Sequence, residues 1–357
     1  MKKYLSLMLV MALAFCLSSC TPSQRDPSDP DAAVKSQLPK EFNKGSTLVF
    51  TDSYEITLLS IEFAEKVIPA EPGNFYSYYE VDDPETETYL HAIFEIKNLQ
   101  RYPKEANTVM KVRLLHETEE EYPFFSAVEQ EGDFAYDNVT PIAPLTTGVI
   151  HYLTQLPLEV AEGDQPLDIQ IEVTGHKMVC PVAGTEKKAT ITLDLGGSPP
   201  EKTDWQQYRQ LSLEESVELK YHNRIRIMNT LFTSAIKPAK PGSSYTEFQI
   251  DNPDRIYLDV VIEFENTAEE TQEINTVFSV KAVYDDLYEY SGFAVLEKED
   301  GSDFLEGDSA QIPAGTKATL HYIFTLPQEL EDSDRPLTLG ISDDEDLVFY
   351  YQIREND

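Results

Sequence analysis

Apolar and polar residues alternate along most of this chain in short runs rich in Val, Ile, Thr, Tyr and Phe, the period of strands that bury one face. In the first half these runs predict strands over Leu48 to Phe50, Tyr54 to Phe63, Thr88 to Ile96, Thr108 to Leu115, Tyr122 to Val128, Gly148 to Leu153, Leu167 to Val173 and Thr190 to Leu195. In the second they predict Val217 to Leu219, Arg224 to Phe232, Tyr245 to Ile250, Ile256 to Phe264, Val277 to Tyr284, Tyr288 to Leu296, Thr316 to Phe324, Leu337 to Ile341 and Leu347 to Ile353. Breakers such as Pro69-Ala70-Glu71-Pro72-Gly73 and Asp82-Asp83-Pro84 supply the turns. No long helical period is present. One short helix is expected, capped by Thr203 and carrying Trp205, Tyr208 and Leu211, to pack on one domain or wedge between both.

The chain repeats itself. Pro69, Pro72, Gly73, Tyr76, Tyr79, Val81, Asp82, Pro84, Tyr89, Leu90, Glu95 and Asn98 recur in order as Pro238, Pro241, Gly242, Tyr245, Phe248, Ile250, Asp251, Pro253, Tyr257, Leu258, Glu263 and Asn266. The match continues through His151-Tyr152 with His321-Tyr322 and Leu156-Pro157 with Leu326-Pro327. A period of this length means one domain in tandem, and 357 residues suffice for two. The expected organisation is a leader over 1–19, a tether over 20–45, a β-sandwich over 46–196, a linker over 197–211 and a second β-sandwich over 212–357. The fold class is all-β.

The start of the chain changes the picture of where such domains work. Met1-Lys2-Lys3 and the apolar run Leu5 to Leu17 have the charge and length of an export signal. The run closes on Leu17-Ser18-Ser19-Cys20, which resembles the bacterial lipobox, and the resemblance implies that Cys20 carries lipid. Acyl chains would then hold the protein on a membrane at roughly 0.8 kcal/mol per buried methylene. Pro, Ser, Asp and Gln dominate the tether, which has too few apolar residues to fold. An extracytoplasmic, membrane-anchored location is expected.

Charge narrows the partners. The formal net charge is -36, and loss of Lys2 and Lys3 with the leader takes it to -38 (-36 minus 2). Such a surface repels phosphate backbones, so nucleic acid is disfavoured. Of the cysteines Cys16, Cys20 and Cys180, only Cys180 lies in a sandwich, so no disulfide framework supports the fold; its apolar neighbours Met178, Val179 and Val182 mark it as a small buried hydrophobe.

The strand ending in Glu-x-x-Asn (Glu95 to Asn98, Glu263 to Asn266), the hairpin after it, the later Leu-Pro strand end and the anchored tether together resemble the immunoglobulin-like domains of unknown function in bacterial lipoproteins. The resemblance implies an immunoglobulin-like sandwich used for surface interaction, with no catalytic residues to carry over.

Residues alike in both copies read as fold, and residues that differ as function or drift. His151 and His321, each in an apolar strand, read as structural. The most informative difference is Asn74-Phe75-Tyr76-Ser77-Tyr78-Tyr79 against Ser243-Ser244-Tyr245-Thr246-Glu247-Phe248, where Phe75 and Tyr78 replace Ser244 and Glu247. Strand alternation would put 75, 77 and 79 on one face and 76 and 78 on the other. Flat aromatic area can stack on sugars or anchor a peptide, so Phe75 and Tyr78 are the candidate partner-binding residues. Carboxylates at turns are the second candidate: Asp82 and Asp83 in one copy, Asp251 and Asp254 in the other, with a denser loop from Glu297 to Asp308, offer hard oxygen to calcium but lack the spacing of a calcium loop. Nucleophile elbow, zinc and phosphate-loop motifs are absent from the sequence. The expected function is a non-enzymatic cell-envelope lipoprotein that binds or adheres through its surface to a protein or glycan. The alternative is an accessory or sensory envelope subunit that takes calcium or a cationic partner at its acidic loops, and a hydrolase with an unrecognised site is the third class.

Overall fold

The computed structural model describes residues 41–70, 72–116, 122–130, 133–134, 140–194, 199–219, 223–250, 252–305, 310–343 and 346–355. The leader, Cys20, most of the tether and Asp251 lie outside the described residues.

Two β-sandwiches follow one another. In the first, a seven-stranded sheet runs Thr190–Leu193, Thr47–Phe50, Tyr54–Ala64, Glu87–Asn98, Thr147–Pro157, Phe125–Gln130 and Asp133–Phe134. A three-stranded sheet of His176–Pro181, Asp168–Val173 and Met110–Leu115 covers it. Alternation makes this possible, since every second residue of Asp168–Val173 is buried. The Tyr152 phenol ties the layers by donating to the Met110 carbonyl at 3.1 Å, and Phe50 stacks on His176. Leu48, Ile56, Phe94, Ile150, Ile169 and Ile171 are fully buried between them. Each contributes about 1.5–3 kcal/mol by leaving water. Cys180 is fully buried among them, and that burial pushes its thiol up to about 12, as suits an inert hydrophobe.

The second sandwich repeats the plan. Its six-stranded sheet runs Ser216–Glu218, Arg224–Thr233, Arg255–Glu265, Lys317–Pro327, Phe293–Glu297 and Phe304–Leu305. The facing five-stranded sheet runs Arg209–Leu211, Asp346–Arg354, Leu337–Asp343, Phe278–Tyr284 and Tyr288–Ser291. Even the irregularities recur. A register shift between Leu58 and Ser60 has its counterpart between Ile227 and Asn229. Bulges of this kind bend a strand and are built in, not defects.

The Glu-x-x-Asn pattern has a clear cause. Asn98, fully buried, donates through Nδ2 to the Tyr102 and Ile142 carbonyls at 2.9 Å and accepts from the Gln100 N–H at 2.9 Å. Asn266 does the same with Glu270, Ile312 and Ala268 at 2.8–3.0 Å. Each side chain thereby satisfies loop groups that would otherwise be buried bare.

Three sequence expectations give way to the structure. The run from Tyr288 to Leu296 is two strands in different sheets, Tyr288–Ser291 and Phe293–Glu297, because the chain turns at Gly292, where a Cβ would lie 2.8 Å from the Ile323 carbonyl oxygen. Only Phe248–Gln249 of the expected Tyr245 to Ile250 strand is extended in a sheet. The Trp205 helix is a single 3-10 turn, Trp205–Gln207, capped by Asp204 through the Gln206 N–H. Arg209–Leu211 instead pairs in parallel with Asp346–Arg354, and that strand pairing overrides the helical spacing. Trp205 packs on the second sandwich, its indole N–H donating to Asp286 at 3.0 Å and its ring 5.5 Å from that of Tyr350.

The two sandwiches are bonded to one another. Arg101 donates to Glu289 at 2.5 and 2.9 Å, to the Glu201 carbonyl and to the Thr203 hydroxyl, and its own carbonyl accepts the Glu289 N–H at 2.8 Å. Tyr290 donates to the Pro144 carbonyl at 3.0 Å, while Ala143 and Leu145 lie against the second core. Arg101→Ala should therefore cost about 2 kcal/mol, since it strands the largely buried Glu289 with Lys281 as its remaining partner. Calorimetry of the full chain should show one transition splitting into two, and an unchanged single transition would count against a bonded interface.

Candidate functional site

Residues 69–70 and 72–78 of the first sandwich form an arm outside the sheets. It enters through Lys66–Val67, which pairs with Tyr79–Glu80. Residues 74 to 78 are not in a strand, so strand alternation does not assign their faces. Phe75 is 93% exposed and Tyr78 51% exposed, with Tyr76 and Ile68 also out in solvent. Lys66 lies over the Tyr78 ring at 3.8 Å, a cation–π contact that steadies an otherwise bare aromatic. Tyr79 is the arm's inner end, its ring 5.1 Å from Phe125 and 5.3 Å from Phe134.

Two carboxylates of one hairpin hold the arm. Glu129 accepts the Ala70 N–H and Asp133 accepts the Ser77 N–H, each at 2.6 Å. The Ser77 N–H lowers the Asp133 carboxyl below its usual range. The second sandwich keeps both bonds, from Ala239 to Glu297 at 2.6 Å and from Thr246 to Asp303 at 2.7 Å. The arm's attachment is thus common property and its side chains are not: Ser244 and Glu247 stand where Phe75 and Tyr78 do, and Glu247 pairs with Lys237 at 3.0 Å.

Beneath the first arm lies a feature the sequence reading passed over. His91 Nε2 is 2.8 Å from His151 Nδ1, and His151 Nε2 is 2.6 Å from Glu129. The donor directions that satisfy neutral rings run from His91 to His151 to Glu129, leaving His91 Nδ1 without a hydrogen bond, 3.6 Å from Glu62. Burial lowers the His91 pKa to about 3, with the neighbouring His151 adding to the effect. Although its own burial opposes the shift, Glu129 is lowered by the hydrogen bonds from His151 and Ala70. In the second sandwich Asp259 takes the place of His91 and holds His321 Nδ1 at 3.0 Å. The signal was available, because the matched Tyr-Leu pair of each copy is followed by His91 in one and Asp259 in the other. Both rings of the first pair are buried and closed to a dissolved substrate, so the network holds the arm's carboxylate in place.

The acidic turns serve the backbone. Asp83 accepts the Glu85 N–H at 3.1 Å and the Thr86 hydroxyl at 3.0 Å, while Asn252 accepts the Asp254 N–H at 2.9 Å. In the denser loop, the Thr246 N–H and Lys298 hold the Asp303 pKa down at about 2. Asp82, Asp83 and Asp254 are not brought together, and among the described residues no group of three or more His, Cys, Asp and Glu is arranged to hold a metal ion.

No protein family matches the chain, and no curated protein does. Among solved structures it is similar to an uncharacterized β-sandwich protein from Clostridium difficile 630, at 21% identity and a TM-score of 0.38, over 44% of this chain and 100% of that one. It is also similar to a conserved hypothetical protein from Bacillus anthracis, at 11% identity and a TM-score of 0.29, over 40% of this chain and 94% of that one.

The buried network makes stability depend on pH. His91 binds a proton more readily unfolded than folded between its ordinary pKa of 6.5 and about 3, so stability falls as pH drops through that window, by up to about 1.4 kcal/mol per unit. Glu129 adds a loss only below its ordinary 4.5. Urea unfolding at pH 7.5, 6 and 5 should show this slope in the wild type and a shallower one in His91→Gln. Equal slopes would contradict the assignment.

Proposed function

We propose that this chain is a non-enzymatic bacterial lipoprotein of the cell envelope, anchored outside the cytoplasm through Cys20, whose first sandwich captures a protein or glycan partner with the aromatic arm. The observation that carries the reading is the exposure of Phe75 and Tyr78 on an arm fastened by its backbone at both ends. Large aromatics bury much area with few rotors to freeze, which is why they dominate binding hot spots. Fastening lowers the ordering cost further. The second sandwich has the same fastening without the aromatics and supports the reading as an internal control. The lipobox-like end of the leader supports the anchor, and the strongly acidic chain disfavours nucleic acid. Among the described residues no helix is long and apolar enough to cross a membrane, so an anchor would come from outside them.

The combined variant Phe75→Ser/Tyr78→Glu, which installs the residues of the second arm, should leave stability within about 0.5 kcal/mol of wild type. It should weaken capture by about tenfold or more, read by co-sedimentation with purified host cell-wall sacculi and by crosslinking to host envelope proteins. Capture equal to wild type in both assays would overturn the role of the arm, and absence of acyl modification on Cys20 in the native host would overturn the anchor.

A further inference from the structure

Every described arginine but one has an oxygen partner. Arg101, Arg113, Arg209, Arg224, Arg226 and Arg335 each meet a carboxylate within 3.8 Å, and Arg354 donates to backbone carbonyls at 2.9–3.5 Å. Arg255 is the exception: among the described residues its guanidinium makes no hydrogen bond and no ion pair within 4.0 Å, although it is half-buried and desolvation lowers its pKa against the pull of Tyr290 and Asp254. A chain with 64 acidic and 28 basic residues does not lack carboxylates to place there. No Arg255 nitrogen is among the buried atoms left without a partner, so its donors stay open to water or to a ligand.

Arg255 faces a cleft of about 240 Å³ where the two sandwiches meet. Across it stands Lys97 of the first sandwich, which makes no ion pair within 4.0 Å among the described residues although Glu55 is its ladder partner. Thr146, Thr147, Asn252, Asp254, Gln328 and Glu329 complete the polar lining. The repeat again serves as a control. In the first copy the position of Arg255 is Glu87, opposite Pro157 as Arg255 is opposite Pro327, and Glu87 is engaged by Gln155. The position of Lys97 is Glu265 in the second copy, where Arg224 and Lys317 lie within 3.8 Å. At both cleft positions the charge is therefore positive where the other copy is negative, and at Lys97 the whole ladder pair is exchanged, Glu55 and Lys97 standing where Arg224 and Glu265 do.

We propose that this cleft is a binding site for a small monocarboxylate, its carboxylate held by the planar fork of Arg255 and the ammonium of Lys97, with Asp254 and Glu329 accepting from a hydroxyl or ammonium group on the same ligand. Arginine suits this role because two parallel N–H donors match a carboxylate. The flanking acids favour a singly charged ligand over a polyanion, which separates a shaped site from a general basic patch. The site is independent of the aromatic arm.

The test uses the full chain with lactate, glycine and gluconate as probes, citrate as the polyanion and chloride at matched ionic strength as control, read by heteronuclear NMR titration. At least one monocarboxylate should saturate shifts around the cleft at lower concentration than citrate. Arg255→Gln and Lys97→Gln should each weaken that binding tenfold or more, Arg255→Lys should weaken it less, and Lys188→Gln should leave it unchanged. No saturable monocarboxylate binding below about 20 mM, preference for citrate, or equal binding by Arg255→Gln would each overturn the proposal.

Discussion

A buried asparagine closes each sandwich. Asn98 and Asn266 sit at the ends of the two central strands, and each side chain bridges one loop carbonyl, the carbonyl of a short outlying strand and one loop N–H. Three neutral hydrogen bonds contribute about 2–4 kcal/mol net, but leaving their backbone partners bare inside the protein costs more than the bonds supply. The hairpin and the Pro141–Ile142 and Gln311–Ile312 strands keep their places through these contacts. Around that shared frame the halves are free to differ, at the exposed arm and also inside, where buried Asp259 takes the place of buried His91.

Much of the frame was legible in the sequence. Period-two alternation located most long strands, and the repeat announced two sandwiches. What escaped detection depended on tertiary context. Gly292 looked like one residue in an apolar run, and only the closeness of the Ile323 carbonyl shows why the chain changes sheets there. Trp205, Tyr208 and Leu211 had helical spacing, yet a parallel partner from the C-terminal strand claimed Leu211. Alternation also misassigned the arm, because residues 74–78 lie beyond the last ladder bond and follow no pleat.

The candidate site was half legible. Phe75 and Tyr78 stood out because the copies disagree there, and the structure puts both in solvent. The His91, His151 and Glu129 chain did not stand out, since Glu129 comes from a different strand and no spacing links it to the histidines. Comparison of copies would have flagged His91 against Asp259. The cleft at Arg255 was invisible from either copy alone, because it forms from one end of each.

Shared positions build the fold, and the proposed partner contacts are left to divergent ones. Equilibrium urea unfolding of Asn98→Ala, Asn266→Ala and a variant with residues 74–78 replaced by Ser243-Ser244-Tyr245-Thr246-Glu247 tests this division most directly. Each asparagine variant should lose about 2–4 kcal/mol and the arm exchange under about 0.5 kcal/mol. An arm exchange as destabilising as the asparagine variants would contradict it.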